Sequence, residues 1–214
     1  YYNILKATFT NGNCTEYIDS YIGQSITVPE GEEVLYWCCE EIKLIPNSTY
    51  QLTADKTFQG KTLSIHTDVA ASARISEDAT GLRFYTYLDK NEYDTIALEL
   101  AGTLYRITHG TVISPYSFVS EAGEFTMEAL DNLEKTSIKY LNISSPGMYD
   151  EFDDKYIFAG SIVELGEMEG KRDNRTLDFG AIGYVCITDI STNISYYLYS
   201  DTISKRNVSS VASS

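Results

Sequence analysis

Basic residues are scarce in this 214-residue chain: 16 lysines and arginines stand against 31 aspartates and glutamates, giving a formal net charge of -15. Such a field repels phosphate backbones and anionic membrane surfaces, so we do not expect nucleic acid as a partner. Long hydrophobic runs are also missing. The longest, such as Ile42 to Pro46, fall far short of the roughly 20 apolar residues that a membrane helix needs. We therefore predict no membrane span.

Catalytic signatures are absent as well. The sequence has no Gly-x-Ser-x-Gly elbow, phosphate-binding loop, dinucleotide fingerprint or zinc-protease motif. His66 and Asp68 share one face of a predicted strand, an arrangement that orients an imidazole for base catalysis, but nothing supplies a nucleophile. His109, the other of the two histidines, follows a predicted strand. We predict that the chain is not an enzyme and uses no cofactor.

Metal-binding patterns are weak. No Cys-x-x-Cys pair is present, which disfavours zinc. The run Asp150-Glu-Phe-Asp-Asp154 is rich in oxygen ligands, but it lacks the spacing and glycine of an EF-hand. A solvated acidic loop is the more common explanation of such a run. We expect no metal site, and Asp150, Asp153 and Asp154 are the residues that would hold one.

Four cysteines are present, two of them adjacent in the stretch Val34 to Cys39, which also holds the only tryptophan. The stretch is typical of a central strand. Because side chains alternate faces along a strand, Cys38 and Cys39 need different partners. We predict disulfides that join them to Cys14 and Cys186, in either of the two possible pairings.

Six Asn-x-Ser/Thr triplets are candidate N-glycosylation sites, where chance gives roughly two at this composition. They favour an extracellular protein, and so does a chain that begins Tyr1-Tyr2 without methionine, as a processed form or a fragment does. The alternative is a chain rich in Asn, Ser and Thr whose triplets stay unmodified. The triplets begin at Asn13, Asn47, Asn142, Asn174, Asn193 and Asn207.

Short runs of β-forming residues, separated by glycine and polar turns, recur along the chain. They predict an all-β protein, an antiparallel β-sandwich of immunoglobulin-like or jelly-roll-like type. Helical spacing within Glu124 to Lys135 predicts at most one short helix, and the rival there is a hairpin through Asp131-Asn132. The other predicted strands include Thr62 to Thr67, Leu82 to Leu88, Tyr93 to Leu100, Thr103 to Thr108, Thr111 to Phe118 and Lys155 to Glu164.

The stretch Leu44 to Ala54 contains a proline turn that leads into a strand with an early tyrosine, Tyr50. It resembles the tyrosine corner of fibronectin type III and related immunoglobulin-like sandwiches. Trp37 lies only nine residues before Pro46, which departs from the usual position of the tryptophan strand. The resemblance implies a sandwich and no activity.

The predicted domain organisation has three parts. Residues 1–10 form an N-terminal strand that either pairs within its own sheet or is donated to a neighbouring subunit. Residues 11–204 form the sandwich, which divides into two sub-sheets near residues 101–110. Residues 205–214 form a polar, serine-rich tail or linker, and Ala70 to Ala79 is a loop or a weak edge strand.

Tyrosine is abundant, at 18 residues. Tyrosine rings stack on sugars and their hydroxyl groups bond sugar rims, but tyrosine also packs well in strands, which is the more common reason for its presence. The residues that would form a glycan-binding face are Tyr85, Tyr87, Tyr196, Tyr197 and Tyr199.

These observations favour a non-catalytic structural subunit of an extracellular assembly, such as a cell-surface filament or a virion tail, fibre or decoration protein. Its partners would be copies of itself or other surface or virion proteins. The first alternative is a glycan-binding or adhesive sandwich module of a larger secreted protein, and the second is a β-sandwich hydrolase.

Overall fold

The structure is a computed structural model that describes residues 3–76, 80–167 and 170–214. The chain divides into two compact units, each made of three segments that alternate along the sequence. Unit 1 holds the residues up to Ser64 together with Asn91–Ile107 and Val185–Leu198. Unit 2 holds the remaining segments, Ile65–Lys90, Thr108–Tyr184 and Tyr199–Ser214.

The described residues are mostly in strands, with a few short helices. The strands are β1 (Ile4–Thr10), β2 (Thr15–Tyr21), β3 (Ser25–Thr27), β4 (Val34–Cys39), β5 (Ile42–Leu44), β6 (Thr49–Gln51), β7 (Lys56–Thr62), β8 (Ile65–Arg74), β9 (Gly81–Asp89), β10 (Tyr105–Pro115), β11 (Leu141–Ser144), β12 (Asp150–Phe152), β13 (Lys155–Ile162), β14 (Phe179–Asp189), β15 (Ile194–Tyr199) and β16 (Ser204–Arg206). The helices are α1 (Lys90–Leu100), α2 (Tyr116–Ala122), α3 (Met127–Asp131) and α4 (Val208–Ala212).

Unit 1 is built on a five-stranded sheet of order β2-β1-β7-β4-β5, beside a two-stranded sheet of β3 and β6. Its core contains three aromatic rings in contact, those of Phe9, Trp37 and Phe58, among aliphatic side chains. The Phe9 ring stacks on Phe58 with centroids 5.1 Å apart and meets the edge of Trp37 at 5.2 Å. The indole nitrogen of Trp37 donates to the carbonyl of Pro29 at 2.9 Å, so its polar group is satisfied inside the core. The strand predicted at Val34–Cys39 is confirmed and lies one strand from the sheet edge.

The N-terminal strand β1 pairs on both sides within its own chain. It runs antiparallel to β2, with Ala7 opposite Ile18, and parallel to β7, with Phe9 opposite Phe58. Ala7 and Phe9 are buried by this pairing. Tyr50 lies in β6, and its ring contacts Phe58 edge-on.

Unit 2 contains a four-stranded sheet of order β12-β13-β9-β8. Unit 2 also contains β11, the part of β10 from Thr108 onward, the part of β14 up to Tyr184, and β16, which pairs with β14. A buried polar contact links β8, β9 and β14: the Thr67 hydroxyl lies 3.2 Å from the Thr86 hydroxyl and accepts the Gly183 N–H at 2.8 Å. The Thr67 N–H donates to the Ser200 hydroxyl at 2.7 Å, so these buried polar groups are satisfied.

The all-β class holds at the level of a mostly β protein with four sheets, and the sandwich type stays a prediction. The expectation of at most one short helix is wrong. Tyr93 to Leu100, predicted as a strand, belongs to α1, where Ile96 and Leu100 are buried at the i, i+4 spacing of one helix face. The helix predicted in Glu124 to Lys135 is present as Met127–Asp131, capped by the Thr126 hydroxyl. None of the helices among the described residues has the length and apolarity to cross a membrane.

Ala70 to Ala79 was predicted as a loop or a weak edge strand, and the second alternative describes its first part, because β8 lies at the edge of its sheet. The first part of Ala70 to Ala79 continues β8 as far as Arg74, and residues 77–79 lie outside the described residues. The predicted polar tail contains β16 and helix α4, in which Val208 is buried. Asn207 caps this helix by accepting the Ser210 N–H at 2.8 Å.

The predicted disulfides are not formed: Cys14, Cys38, Cys39 and Cys186 are all free thiols. Cys14 is exposed in the turn between β1 and β2. Cys39 packs against the aromatic core of unit 1, and Cys186 is buried with its sulfur 3.7 Å from the Thr188 hydroxyl. Strand alternation places Cys38 and Cys39 on different faces, but the fold does not bring any two of the four cysteines close enough to bond.

Replacement of Gly183 tests the buried contact in unit 2. A Cβ at this position would overlap the Thr86 side chain, so we expect Gly183→Ala to lower the free energy of unfolding by about 1–3 kcal/mol. Gly147 has no neighbour within 4 Å of an added Cβ, so Gly147→Ala is the matched control and should change stability by less than about 0.5 kcal/mol. Urea unfolding of both variants measures this, and equal stability would contradict the account.

The free thiols can be counted by mass. Treatment with reductant should leave the intact mass unchanged, and an alkylating reagent should modify the exposed Cys14 before the others. Burial raises the pKa of the Cys38 thiol, which slows its reaction, and the buried Cys186 should react only after unfolding. A gain in mass on reduction would show a disulfide and contradict this prediction.

The buried His109 should make the protein less stable as the pH is lowered. Its ring is buried, stacked on Phe158 at 4.9 Å, and burial lowers its pKa. Below the ordinary histidine pKa of about 6.5, His109 is protonated in the unfolded chain but stays neutral in the folded protein. The free energy of unfolding therefore decreases as the pH falls. Between pH 7.5 and 5.5, the melting temperature should drop by about 2–4 °C more in wild type than in His109→Leu. The same drop in melting temperature in wild type and His109→Leu would contradict this prediction.

Candidate functional site

A groove of about 340 Å³ lies on the outward face of the four-stranded sheet in unit 2. It is lined by aromatic, acidic and small side chains from β8, β9, β12, β13 and the segment before β12. We call it the tyrosine groove, after Tyr85, Tyr87 and Tyr149, which contribute its aromatic surface.

Strand alternation places the groove residues on one face. Along β9, Phe84, Thr86 and Leu88 are buried, so Tyr85 and Tyr87 between them point outward. Residues directly opposite in neighbouring strands share a face. Ile157 of β13 lies opposite Tyr87, and Asp150 of β12 lies opposite Ile157. The tyrosines, the isoleucine and the aspartate therefore form one continuous surface across the sheet.

An irregularity in β8 brings a carboxylate to the same surface. Thr67 pairs with Thr86 and Ala71 pairs with Phe84, so residues 68–70 of β8 face a single residue of β9. Extra residues of this kind bend a strand and change the direction of its side chains. Asp68 lines the groove as a result, and its Oδ1 accepts the Ala70 N–H at 2.9 Å.

The tyrosine rings are held in place by side-chain contacts. The Tyr85 hydroxyl lies 2.8 Å from the Ser72 hydroxyl, and its ring centroid is 5.7 Å from that of Tyr149. The Tyr87 hydroxyl donates to Asp68 Oδ2 at 3.2 Å. Burial, and then the charge of Asp68, raises the pKa of Tyr87, so this phenol stays protonated as a donor.

Tyr149 is the most exposed ring of the groove. Its side chain keeps 56% of its surface accessible. The Arg83 guanidinium lies over the ring, 5.4 Å from its centroid, and its Nε donates to the Ser161 hydroxyl at 3.1 Å. One face of a flat aromatic surface at the end of the groove is thus supported from within the protein.

The histidine arrangement differs from the prediction. His66 Nδ1 lies 3.3 Å from Asp201 Oδ1 and 3.1 Å from the Thr202 hydroxyl, so its acidic neighbour is Asp201 and not Asp68. His66 is opposite Tyr87 in the sheet but does not line the groove. His109 is buried in unit 2, away from solvent.

The acidic run is divided among three roles. Asp150 lines the groove, whereas Asp153 and Asp154 form the tight turn between β12 and β13 with positive φ angles of 51° and 57°. Glu151, which follows Asp150 in the sequence, forms an ion pair with Lys90. Within residues 3–76, 80–167 and 170–214, no group of three or more His, Cys, Asp or Glu side chains is arranged to hold a metal ion.

Three of the predicted glycan-binding tyrosines lie outside the groove. Burial raises the pKa of Tyr196 to about 12, and Tyr197 approaches the Cys186 thiol. The Tyr199 hydroxyl accepts the Met127 N–H at 3.1 Å and lines a different cavity, beside α2. The structure thus brings together only Tyr85 and Tyr87 of the five.

A second polar group, in unit 1, also escaped the sequence analysis. The buried Tyr36 hydroxyl donates to Glu99, and Lys61 Nζ lies 2.8 Å from the same carboxylate. Burial raises the pKa of Tyr36, and the hydrogen bond to Glu99 adds to this. Burial alone would raise the pKa of Glu99, but the bonds from Lys61 and Tyr36 outweigh it and lower it. The group is a satisfied charge pair with a structural role.

The glycosylation candidates differ in accessibility. Asn13 and Asn193 are exposed in turns. Asn47 and Asn142 are exposed as well, but the side-chain nitrogen of Asn47 donates to Glu30 and the oxygen of Asn142 accepts from Tyr184. Asn174 is half-buried, and Asn207 caps α4 while its side-chain nitrogen donates to Asp178 at 2.7 Å. Glycosylation stays a prediction, and Asn13 and Asn193 are its most accessible positions.

Comparison of the chain with family models, with curated proteins and with solved structures finds no match.

Proposed function

We propose that this chain is a non-catalytic saccharide-binding module and that the sugar binds in the tyrosine groove. One observation carries the proposal: three tyrosines and two aspartates converge on one groove of an outward sheet face. This develops the glycan-binding alternative of the sequence analysis, and it gives Tyr85 and Tyr87 the roles expected there.

The chemistry of the groove matches the two sides of a pyranose ring. The carbon-bound hydrogens of a sugar face form an apolar surface that stacks on a flat aromatic ring, and Tyr149 offers such a ring with 56% of its surface accessible. The hydroxyl groups at the sugar rim are donors, and the carboxylates of Asp68 and Asp150 are strong hydrogen-bond acceptors. Ile157 adds apolar surface between the two.

The same geometry supports binding without catalysis. Asp68 accepts hydrogen bonds from the Tyr87 hydroxyl and the Ala70 N–H, which hold its carboxylate in place as an acceptor. His66 Nδ1 faces Asp201 and Thr202, and the described residues place no serine or cysteine nucleophile in contact with this imidazole. An extracellular, cell-surface or virion location stays a prediction based on the glycosylation triplets.

The role of structural subunit also stays a prediction, and one observation favours it as a second candidate. Strand β2 lies at the edge of its sheet, with Tyr17 and Tyr21 exposed. An unpaired sheet edge can pair with another chain. Donation of β1 would have a larger cost, because Ala7 and Phe9 would leave the core of their own unit.

Substitution of Tyr149 tests the proposed function. We expect Tyr149→Ala to weaken saccharide binding by about tenfold or more, since a stacking surface worth about 1.4 kcal/mol or more is lost. Tyr149→Phe keeps the ring and should bind within about threefold of wild type. The measurement is titration calorimetry of the whole chain with the best ligand from a glycan array.

Tyr17→Ala is the matched control, because Tyr17 is an exposed tyrosine that does not line the groove. It should bind like wild type. Equal binding by wild type and Tyr149→Ala, or the absence of any array ligand, would contradict the proposal.

A further inference from the structure

The tyrosine groove also carries a charge pattern that specifies the class of saccharide. Resting on the proposed function, we propose that the groove selects saccharides with free amino groups over neutral ones and excludes sulfated or carboxylated ones. The occupant is thus an oligosaccharide of amino sugars.

The two groove carboxylates come from opposite edges of the sheet. In the order β12-β13-β9-β8, Asp150 belongs to the first strand and Asp68 to the last. Three spacings between neighbouring strands separate these edges, about 14 Å in all. This span is the distance between the backbones of the two edge strands. The two carboxylates come from these different strands, so they can meet substituents on different sugars of the same oligosaccharide.

Both carboxylates retain acceptor capacity. Asp68 accepts one N–H from Ala70 and one O–H from Tyr87. Asp150 Oδ1 accepts the Glu151 N–H at 2.8 Å. A carboxylate has about four acceptor positions. A protonated amino group offers three charged N–H donors to either aspartate, whereas the amide of an N-acetyl group offers one neutral N–H donor.

Within the part of the chain that the structure describes, the residues that line the groove carry no positive charge to balance the two aspartates. Among the described residues that line it, none is lysine, arginine or histidine. Arg83 lies over the ring of the groove residue Tyr149 and is engaged within the protein, because it donates to the Ser161 hydroxyl at 3.1 Å and to the Tyr149 hydroxyl at 3.5 Å. A sulfate or carboxylate in the groove would face Asp68 and Asp150 without a counter-charge, whereas an ammonium group would neutralise them.

The test compares disaccharides and trisaccharides of one backbone that differ only in the nitrogen substituent: free amine, N-acetyl and N-sulfate. Binding to the whole chain is measured by calorimetry, at a pH that keeps the amines protonated. We expect the amine to bind about tenfold more tightly than the N-acetyl form and the N-sulfate not to bind. Short ligands are used because a polycation would adhere to any protein of net charge -15.

Variants separate the groove from the overall charge. Asp68→Asn and Asp150→Asn should each remove most of the preference for the amine, so that the amine and the N-acetyl form bind each variant with similar affinity. Glu128→Gln removes one exposed charge that does not line the groove and should keep the full preference.

The outcomes distinguish this inference from the proposed function. Equal binding of amine and N-acetyl forms, with both weakened by Tyr149→Ala, would overturn the amino-sugar preference and leave saccharide binding intact. A preference that survives both aspartate substitutions would come from net charge and would also overturn the inference. Binding of no saccharide by wild type would overturn both.

Discussion

The hydroxyl group of Thr67 holds together the part of the molecule on which the candidate site rests. It is buried between β8, β9 and β14, contacts the Thr86 hydroxyl and accepts the Gly183 N–H. The absence of a side chain at Gly183 allows this approach, because a Cβ there would overlap Thr86. A buried polar group is costly unless it is bonded, so satisfied contacts of this kind favour a single arrangement of the strands.

That arrangement determines what the outward face presents. Thr67 and Thr86 point inward at the last regular pair before β8 becomes irregular, and Asp68 immediately follows. The extra residues of β8 allow Asp68 to meet Tyr87 while the alternation of β9 keeps Tyr85 on the same side. The buried contact and the polar groove therefore lie on opposite faces of β8 and β9. A change at Thr67, Thr86 or Gly183 would alter the groove without touching a groove residue.

Local patterns predicted the elements whose side chains alternate clearly. Val34–Cys39 has the predicted bounds, and Leu82 to Leu88 is one residue short of β9 at each end. Tyr93 to Leu100 was wrong because its β-forming composition outweighed the i, i+4 spacing of Ile96 and Leu100. The disulfides were wrong because cysteine count and strand alternation do not report the distance between thiols.

The site was only partly predictable for a related reason. Tyr85 and Tyr87 could be named from the alternation of their own strand. Tyr149 and Asp68 reach the groove through pairing between segments far apart in the sequence and through the irregular register of β8, which leave no local signal. Tyr196, Tyr197 and Tyr199 lie in a strand that is equally rich in tyrosine, but they do not line the groove. Tyr197 contacts Cys186 and Tyr199 contacts Met127 instead.

The most direct test of the account is an NMR titration of the whole chain, labelled at the tyrosine rings, with short neutral and amino-bearing oligosaccharides. The account predicts that the ring resonances of Tyr85, Tyr87 and Tyr149 shift together and saturate with one affinity, while those of Tyr17 and Tyr50 do not move. Shifts confined to tyrosines outside the groove, or no shifts with either class of sugar, would contradict it.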